Sequence, residues 1–379
     1  MPRYKFSEIA TNVTEKRMPT LDDMATYIAP NNLDTSTLSV PEYGYKVPLN
    51  GLKLVMNKGD MLFGRREPQL KHAAIAPHDG VFSAHGMIFH AKEKVISKDF
   101  FPFFISSDCF FDTAIKISVG SLSPTVNWKD LKDIEFTIPE REKQEEYAEL
   151  LWGIVRLKRA YRELIRQSDE LIKSEFIEMF GDPMDNDKGW KVRPISEVCE
   201  IVTGNTPPRK HPEYYGDYIE WIKSDNISSD QVSISHAAES LSESGAKVGR
   251  IVPAGSILMT CIAGSLNTIG NIGITDRSVA FNQQINALVP NSSDAWYLYY
   301  LLQMIRPKIH EITNKALKCI LSKGALSTIT VIDPDRELQN AFSEKAQQSD
   351  KAKAELEKSN ETLNNLQKII VSDMFQCHM

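Results

Sequence analysis

The chain reads as an α+β protein with an internal pseudo-twofold repeat. Two similar mixed domains are expected, separated by two long helices that pair as an antiparallel coiled coil. Three observations predict this. The first is a gap-free repeat: Leu171-Ile172-Lys173-Ser174-Glu175-Phe176-Ile177-Glu178-Met179-Phe180 returns as Leu366-Gln367-Lys368-Ile369-Ile370-Val371-Ser372-Asp373-Met374-Phe375, an offset of 195. Arg141-Glu142-Lys143-Gln144 returns at the same offset as Arg336-Glu337-Leu338-Gln339, and Asp99, Leu131, Ile134 and Pro139 meet Asp294, Leu326, Ile329 and Pro334. The second is texture: short apolar runs broken by Gly, Pro and Asn fill residues 1–139 and again 181–335, a strand-and-turn pattern. The third is a heptad spacing of apolar residues in the segments between and after them.

Taken in order, residues 1–139 form the first domain. Gly51-Leu52-Lys53-Leu54-Val55-Met56 and Gly59-Asp60-Met61-Leu62-Phe63-Gly64 read as strands with tight turns. A helical stretch around 99–107 precedes a last strand at 134–138. Residues 140–180 are the first helix. Leu150, Leu157, Leu164 and Leu171 recur every seventh residue, and Tyr147, Ile154, Tyr161 and Ser168 fill the alternate seam positions. Gly181 followed by Pro183 is a helix stop. Residues 181–335 repeat the first domain, with a helix around 294–306 and a strand at 329–332. Residues 336–379 are the second helix, with Phe342, Ser349, Leu356, Leu363, Leu366 and Ile370 on its seam. To keep the repeat symmetry, that helix must run back toward the first domain. About forty residues make a rod of roughly 60 Å.

Bulk properties narrow the class. At 379 residues there is room for two or three domains with their own cores. No signal-type or membrane-length apolar run stands out, so a cytoplasmic protein is expected. Phe100 to Phe111 and Trp296 to Ile305 are short and read as buried helices. Cys109, Cys199, Cys261, Cys319 and Cys377 are scattered with no CxxC pair, which reads as free thiols in a reducing setting. The net charge of −6 argues against a surface coated in basic residues. The domains are near neutral and the helices acidic, so binding to a polyanion would need cations gathered on one face of each domain. A two-copy chain suits a partner that is itself nearly twofold, and duplex DNA is the commonest.

Sharper motifs cluster in the second domain. After Phe180-Gly181-Asp182-Pro183 and Lys188-Gly189-Trp190 come Thr203-Gly204-Asn205-Thr206-Pro207-Pro208-Arg209, Pro212-Glu213-Tyr214-Tyr215-Gly216 and Trp221-Ile222-Lys223-Ser224-Asp225-Asn226-Ile227. Pro253-Ala254-Gly255-Ser256 and Phe281-Asn282-Gln283-Gln284 follow. This order resembles the specificity subunit of type I restriction-modification enzymes over essentially the whole chain. The first domain lacks the Gly-x-Thr-Pro turn and the Trp-Ile-Lys-Ser segment. The resemblance implies a non-catalytic subunit with no cofactor. Its partners would be double-stranded DNA, two methyltransferase subunits and, in the full enzyme, two motor-nuclease subunits. Each domain would read half of a split, asymmetric target, and the helices would set the unread spacer and dock the methyltransferases.

Candidate contacts follow, each beside a plainer reading. Thr206, Arg209 and Lys210 sit in a proline-stiffened loop that can offer donors to phosphates or guanine edges; otherwise it is a solvated turn. Lys223, Ser224 and Asn226 can meet phosphate and adenine, or Asp225-Asn226 is a turn. In the first domain Arg65 and Arg66, then Lys71 and His72, follow a strand at a Gly-rich turn. The corresponding loop in the second domain carries Asn267. Asn282-Gln283-Gln284 reads as a structural cap. His72, His78, His85 and His90 lack zinc spacing, and no metal is expected. There is no GxxxxGK[ST] phosphate loop, and Asn205-Thr206-Pro207-Pro208 resembles a methyltransferase motif only superficially. Two alternatives remain: a nuclease or methyltransferase with an unrecognised site, and a coiled-coil scaffold that makes no DNA contact.

Overall fold

The computed structural model describes residues 1–46, 48–229, 231–314 and 318–375. The chain divides into two compact units, Met1–Leu164 with Leu356–Met379, and Ile165–Glu355. The units therefore do not stop at 139 and 335, because each takes part of both long helices.

In the first unit a four-stranded antiparallel sheet runs in the order Ala10–Val13, Gly86–Ala91, Met61–Gly64, Ala73–Ile75. A three-stranded sheet joins Lys16–Arg17, Lys53–Met56 and Gly80–Phe82. Successive side chains on a strand face opposite ways. Met61 and Phe63 accordingly enter the larger core, while Leu62 enters a second core with Ile28, Met56, Phe82 and Ile88. The larger core is phenylalanine-rich: the Phe6 ring lies 5.2 Å from Phe89, 5.3 Å from Phe110 and 5.6 Å from Trp128. The expected buried helix near 100–111 is two helices, Phe101–Ile105 and Asp108–Ile117, the second capped by the Ser107 side chain. The last strand, Glu135–Thr137, pairs with Arg3–Lys5 and so closes the head onto its own start.

The second unit is wired the same way. Its four-stranded sheet runs Cys199–Thr203, Ile285–Pro290, Ile257–Thr260, Ile272–Ile274. Ile257 and Met259 face one core and Leu258 the other. Thr330–Ile332 pairs with Val192–Pro194. The helix Ala295–Met304 is capped by Asp294, whose carboxylate accepts from the Trp296 and Tyr297 amides. This unit adds a five-stranded sheet in which Ile219–Ile222 lies parallel to Val279–Phe281.

The long helices run unbroken from Arg141 to Phe180 and from Arg336 to Phe375. Gly181 at φ +75° closes the first, its amide donating to Ile177, as a left-handed glycine does. The repeated Gln144 and Gln339 have a physical reason. Gln144 accepts from the Ser97 amide and donates to the Val95 and Pro139 carbonyls. Gln339 accepts from the Asp294 amide and donates to the Pro334 carbonyl. Each glutamine ties a helix start to its own head.

The expected seam needs correction. Ile154 and Phe342 are buried, and Tyr147, Leu363 and Ile370 pack against the first core. Tyr161 and Leu356 are half-buried. Leu150, Leu157, Leu164 and Leu171, however, are 49–65% exposed, and Leu366 is also exposed. The buried stripe lies mostly one residue further on: Ala148, Leu151, Val155 and Lys158, then Ile172 and Phe176. One residue turns a helix by about 100°, so a correct heptad period does not choose the face. The face that turns inward is the one carrying Gln144 and Phe176, which lock into the heads.

Inside the second unit the pairing is antiparallel. Ser168 bonds Ser349 at 2.7 Å, Asp169 accepts from Lys353 at 3.1 Å, Glu175 meets Lys345, and Phe176 lies edge-on to Phe342. Inside the first unit Lys158 donates to Gln367 at 2.8 Å, and Phe375 packs on Phe100 and Phe104. The expected return of the second helix to the first head is met there.

Candidate nucleic-acid interface

In the second unit the Gly204–Arg209 loop lies over the sheet edge. A Cβ on Gly204 would stand 2.1 Å from the Asn282 carbonyl oxygen, so only glycine fits this approach. Two aromatic donors then hold the loop. The Tyr215 hydroxyl donates to the Pro207 carbonyl at 2.6 Å, and the Trp221 indole N–H donates to the Asn205 carbonyl at 3.3 Å. The Arg209 guanidinium rests over both rings, 4.4 Å from Tyr215 and 5.3 Å from Trp221, and Lys223 Nζ is 5.2 Å from the Trp221 ring. Stacking of this kind fixes a cation's direction without burying it. Arg209 keeps more than half of its side chain exposed.

Arg209 and Lys223, candidates from separate motifs, thus meet on one platform. Their shared partner is Glu239, which accepts from Arg209 at 2.8 Å and from Lys223. Lys223 and then Arg209 hold the Glu239 carboxyl below the usual range. Glu239 was not legible as a site residue, since no local motif marks it; Tyr215 and Trp221 stood within motifs but without an assigned role. Beside this platform, burial pushes the Glu220 carboxyl up, but Arg277, the Ala237 amide and His236 carry it down to about 2.

The remaining candidates divide. Lys210 is exposed, and Thr206, also exposed, bonds the Gln283 side chain. Ser224 donates to Gln284 at 3.3 Å. Asn226 is committed to its own turn: it accepts from the Lys223 amide and donates to Ser235 and the His236 carbonyl. Asn282 accepts from the Gln284 amide and donates to its side chain, the structural arrangement expected for that run. Asn267 is exposed, and its carbonyl accepts from Arg306.

In the first unit Arg65 donates to Asn127 Oδ1 at 2.9 Å and Arg66 to Ser123 Oγ at 2.5 Å. Among the described residues neither has an ion-pair partner. Lys71 pairs with Asp108, and the His72 carbonyl accepts from Gly64. The strand pairing therefore brings Arg65 and His72 to neighbouring strand ends. Of the cysteines expected to be free thiols, Cys199, Cys261 and Cys319 are free, Cys109 departs from expectation in being disulfide-bonded, and Cys377 lies outside the described residues. Scatter along a sequence says nothing of proximity in space. Among the described residues no helix is long and apolar enough to cross a membrane.

Comparison with known proteins places these features. Residues 187–367 match the family described as type I restriction modification DNA specificity domain. The chain is 30% identical over 169 residues to the type I restriction enzyme HindI specificity subunit of Haemophilus influenzae, covering 42% of this chain and 35% of that protein. It is 32% identical over 120 residues to the MjaIX specificity subunit of Methanocaldococcus jannaschii, covering 31% and 27%. The matched stretches thus span about a third of those relatives. In fold, it is similar to the type I restriction-modification S subunit from M. genitalium, with a TM-score of 0.62, 12% identity and coverage of 100% of this chain and 96% of that one. A chain from a study of type I R-M complex assembly gives a TM-score of 0.52, 18% identity and coverage of 99% and 97%. Residues 187–367 thus match a type I restriction modification DNA specificity domain, and along its length the chain is similar in fold to type I restriction-modification S subunits.

Proposed function

We propose that this chain is a non-catalytic DNA-reading and scaffolding subunit. Each head reads one half of a bipartite, asymmetric target. The paired helices set the number of unread base pairs and dock two methyltransferase subunits, and a motor-nuclease pair joins in the full enzyme. The observation that carries this reading is the Arg209–Lys223 platform, a directed pair of cations on aromatic rings within the specificity domain. Donors so arranged suit phosphates and guanine edges. Docking is supported by Leu150, Leu157, Leu164 and Leu171, which leave an apolar stripe exposed on the first long helix.

The test is co-expression with the cognate methyltransferase subunit and mapping of methylated adenines. A two-part motif is expected, and exchanging residues 181–335 for another recognition domain should alter one half only. A one-block motif, or a change in both halves, would overturn the reading. Turnover of DNA by the purified chain alone would overturn its non-catalytic part.

A further inference from the structure

We propose that the loop closed by Val119 and Thr125 is an apolar wedge, with Leu122 entering the base stack of duplex DNA beside the phosphate contacts of Arg65 and Arg66. This rests on the reading of the first head as a DNA-reading domain. The loop base is firm. Val119 and Thr125 exchange two backbone hydrogen bonds of 3.1 and 3.0 Å. Thr125 also bridges Arg66 antiparallel, the Glu67 amide donates to Pro124 at 2.7 Å, and the Val126 amide donates to Arg65 at 2.9 Å. The loop is thereby laid along the arginine segment, and Arg66 bonds the Ser123 hydroxyl.

At its tip Leu122 is 97% exposed, the highest among the large hydrophobic residues described, and Val119 at the base is 64% exposed. Single exposed apolar residues are common. This one is held out on a braced loop next to two guanidiniums whose bonds go to a neutral amide and a neutral hydroxyl. That contrasts with Arg209 and Lys223, which share a carboxylate. Uncompensated cations around a projecting leucine complement a polyanion with an apolar interior, and leucine is among the side chains that wedge between base steps. The second unit builds the same closure: Asn314 and Ile320 exchange bonds of 3.0 and 2.9 Å, and Cys319–Ile320 pairs with Ile262–Ala263.

The experiment uses the assembled complex with its methyltransferase subunit and a duplex bearing the mapped target, with 2-aminopurine placed at successive positions of the half-site read by the first head. Wild type should raise the fluorescence several-fold at one step. Leu122→Ala should abolish that rise and weaken binding roughly tenfold, while Leu122→Met should retain most of it. Arg66→Ala should weaken binding to all duplexes and lower the salt slope by about one. Binding without a fluorescence rise at any position, or a rise that persists in Leu122→Ala, overturns the wedge alone. If Leu122→Ala weakens methyltransferase association in the absence of DNA, the loop is a protein contact and the wedge is wrong. Failure of wild type to bind any duplex removes the DNA reading itself.

Discussion

Glu239 holds Arg209 and Lys223 through opposite sides of one carboxylate, so a phosphate must compete with it for both cations. Glu239→Gln weakens that hold without removing the acceptor. It is expected to raise affinity for non-target duplex roughly threefold to tenfold and to steepen the salt dependence, as measured by fluorescence anisotropy across a salt series. Arg209→Ala should do the reverse. Asn226 behaves differently, since its amide is consumed within its turn. Asn226→Ala should cost about 1–2 kcal/mol of stability, visible in denaturant unfolding of the second unit, with little loss of phosphate binding beyond that. The sequence left both readings of Asn226 open because an amide that caps a turn and one that reads adenine look alike in a motif. Glu239 was invisible for another reason: it reaches Arg209 across thirty positions of chain, and a partner that distant leaves no spacing to find.

At the scale of elements, the long helices were legible to within a residue at their starts, because a forty-residue run without proline and with a seven-residue period has few other solutions. Which way the first helix faces was not legible. Leu150, Leu157, Leu164 and Leu171 satisfy the period as well as the true stripe does, and only the anchoring by Gln144 and Phe176 separates them. Leu157→Ser should therefore change stability by less than about 0.5 kcal/mol yet weaken association with the methyltransferase in a pull-down titration. Leu151→Ala should cost about 2–5 kcal/mol.

The inward face also carries Lys158, which donates to the Ser36 carbonyl and to Gln367. Burial, with Arg162 adding to it, brings its ammonium down to about 8. A lowered lysine binds its proton less tightly in the folded state than in the unfolded one. Stability should thus rise with pH from about 8 to 10.4, by about 3 kcal/mol at most. Urea midpoints across that window check it, and Lys158→Met should flatten the slope.

Over the whole molecule, the repeat in the sequence has its counterpart in two sheets of equal strand order, one in each unit. The division of the helices between units was not foreseen, since a continuous helix gives no sequence mark where its packing partner changes. It makes a specific demand on the first unit, whose core includes Met374 and Phe375. Phe375→Ala should cost that unit about 3–5 kcal/mol and leave the second unit's unfolding transition in place, which calorimetry can separate.

That arrangement bears on how the protein is made. Phe6 shares a core with Phe375, which is laid down some 369 positions later. A ribosome working along the message would finish the trailing head while the leading one still waited for its closing turn, so of the two heads the one begun earlier matures later.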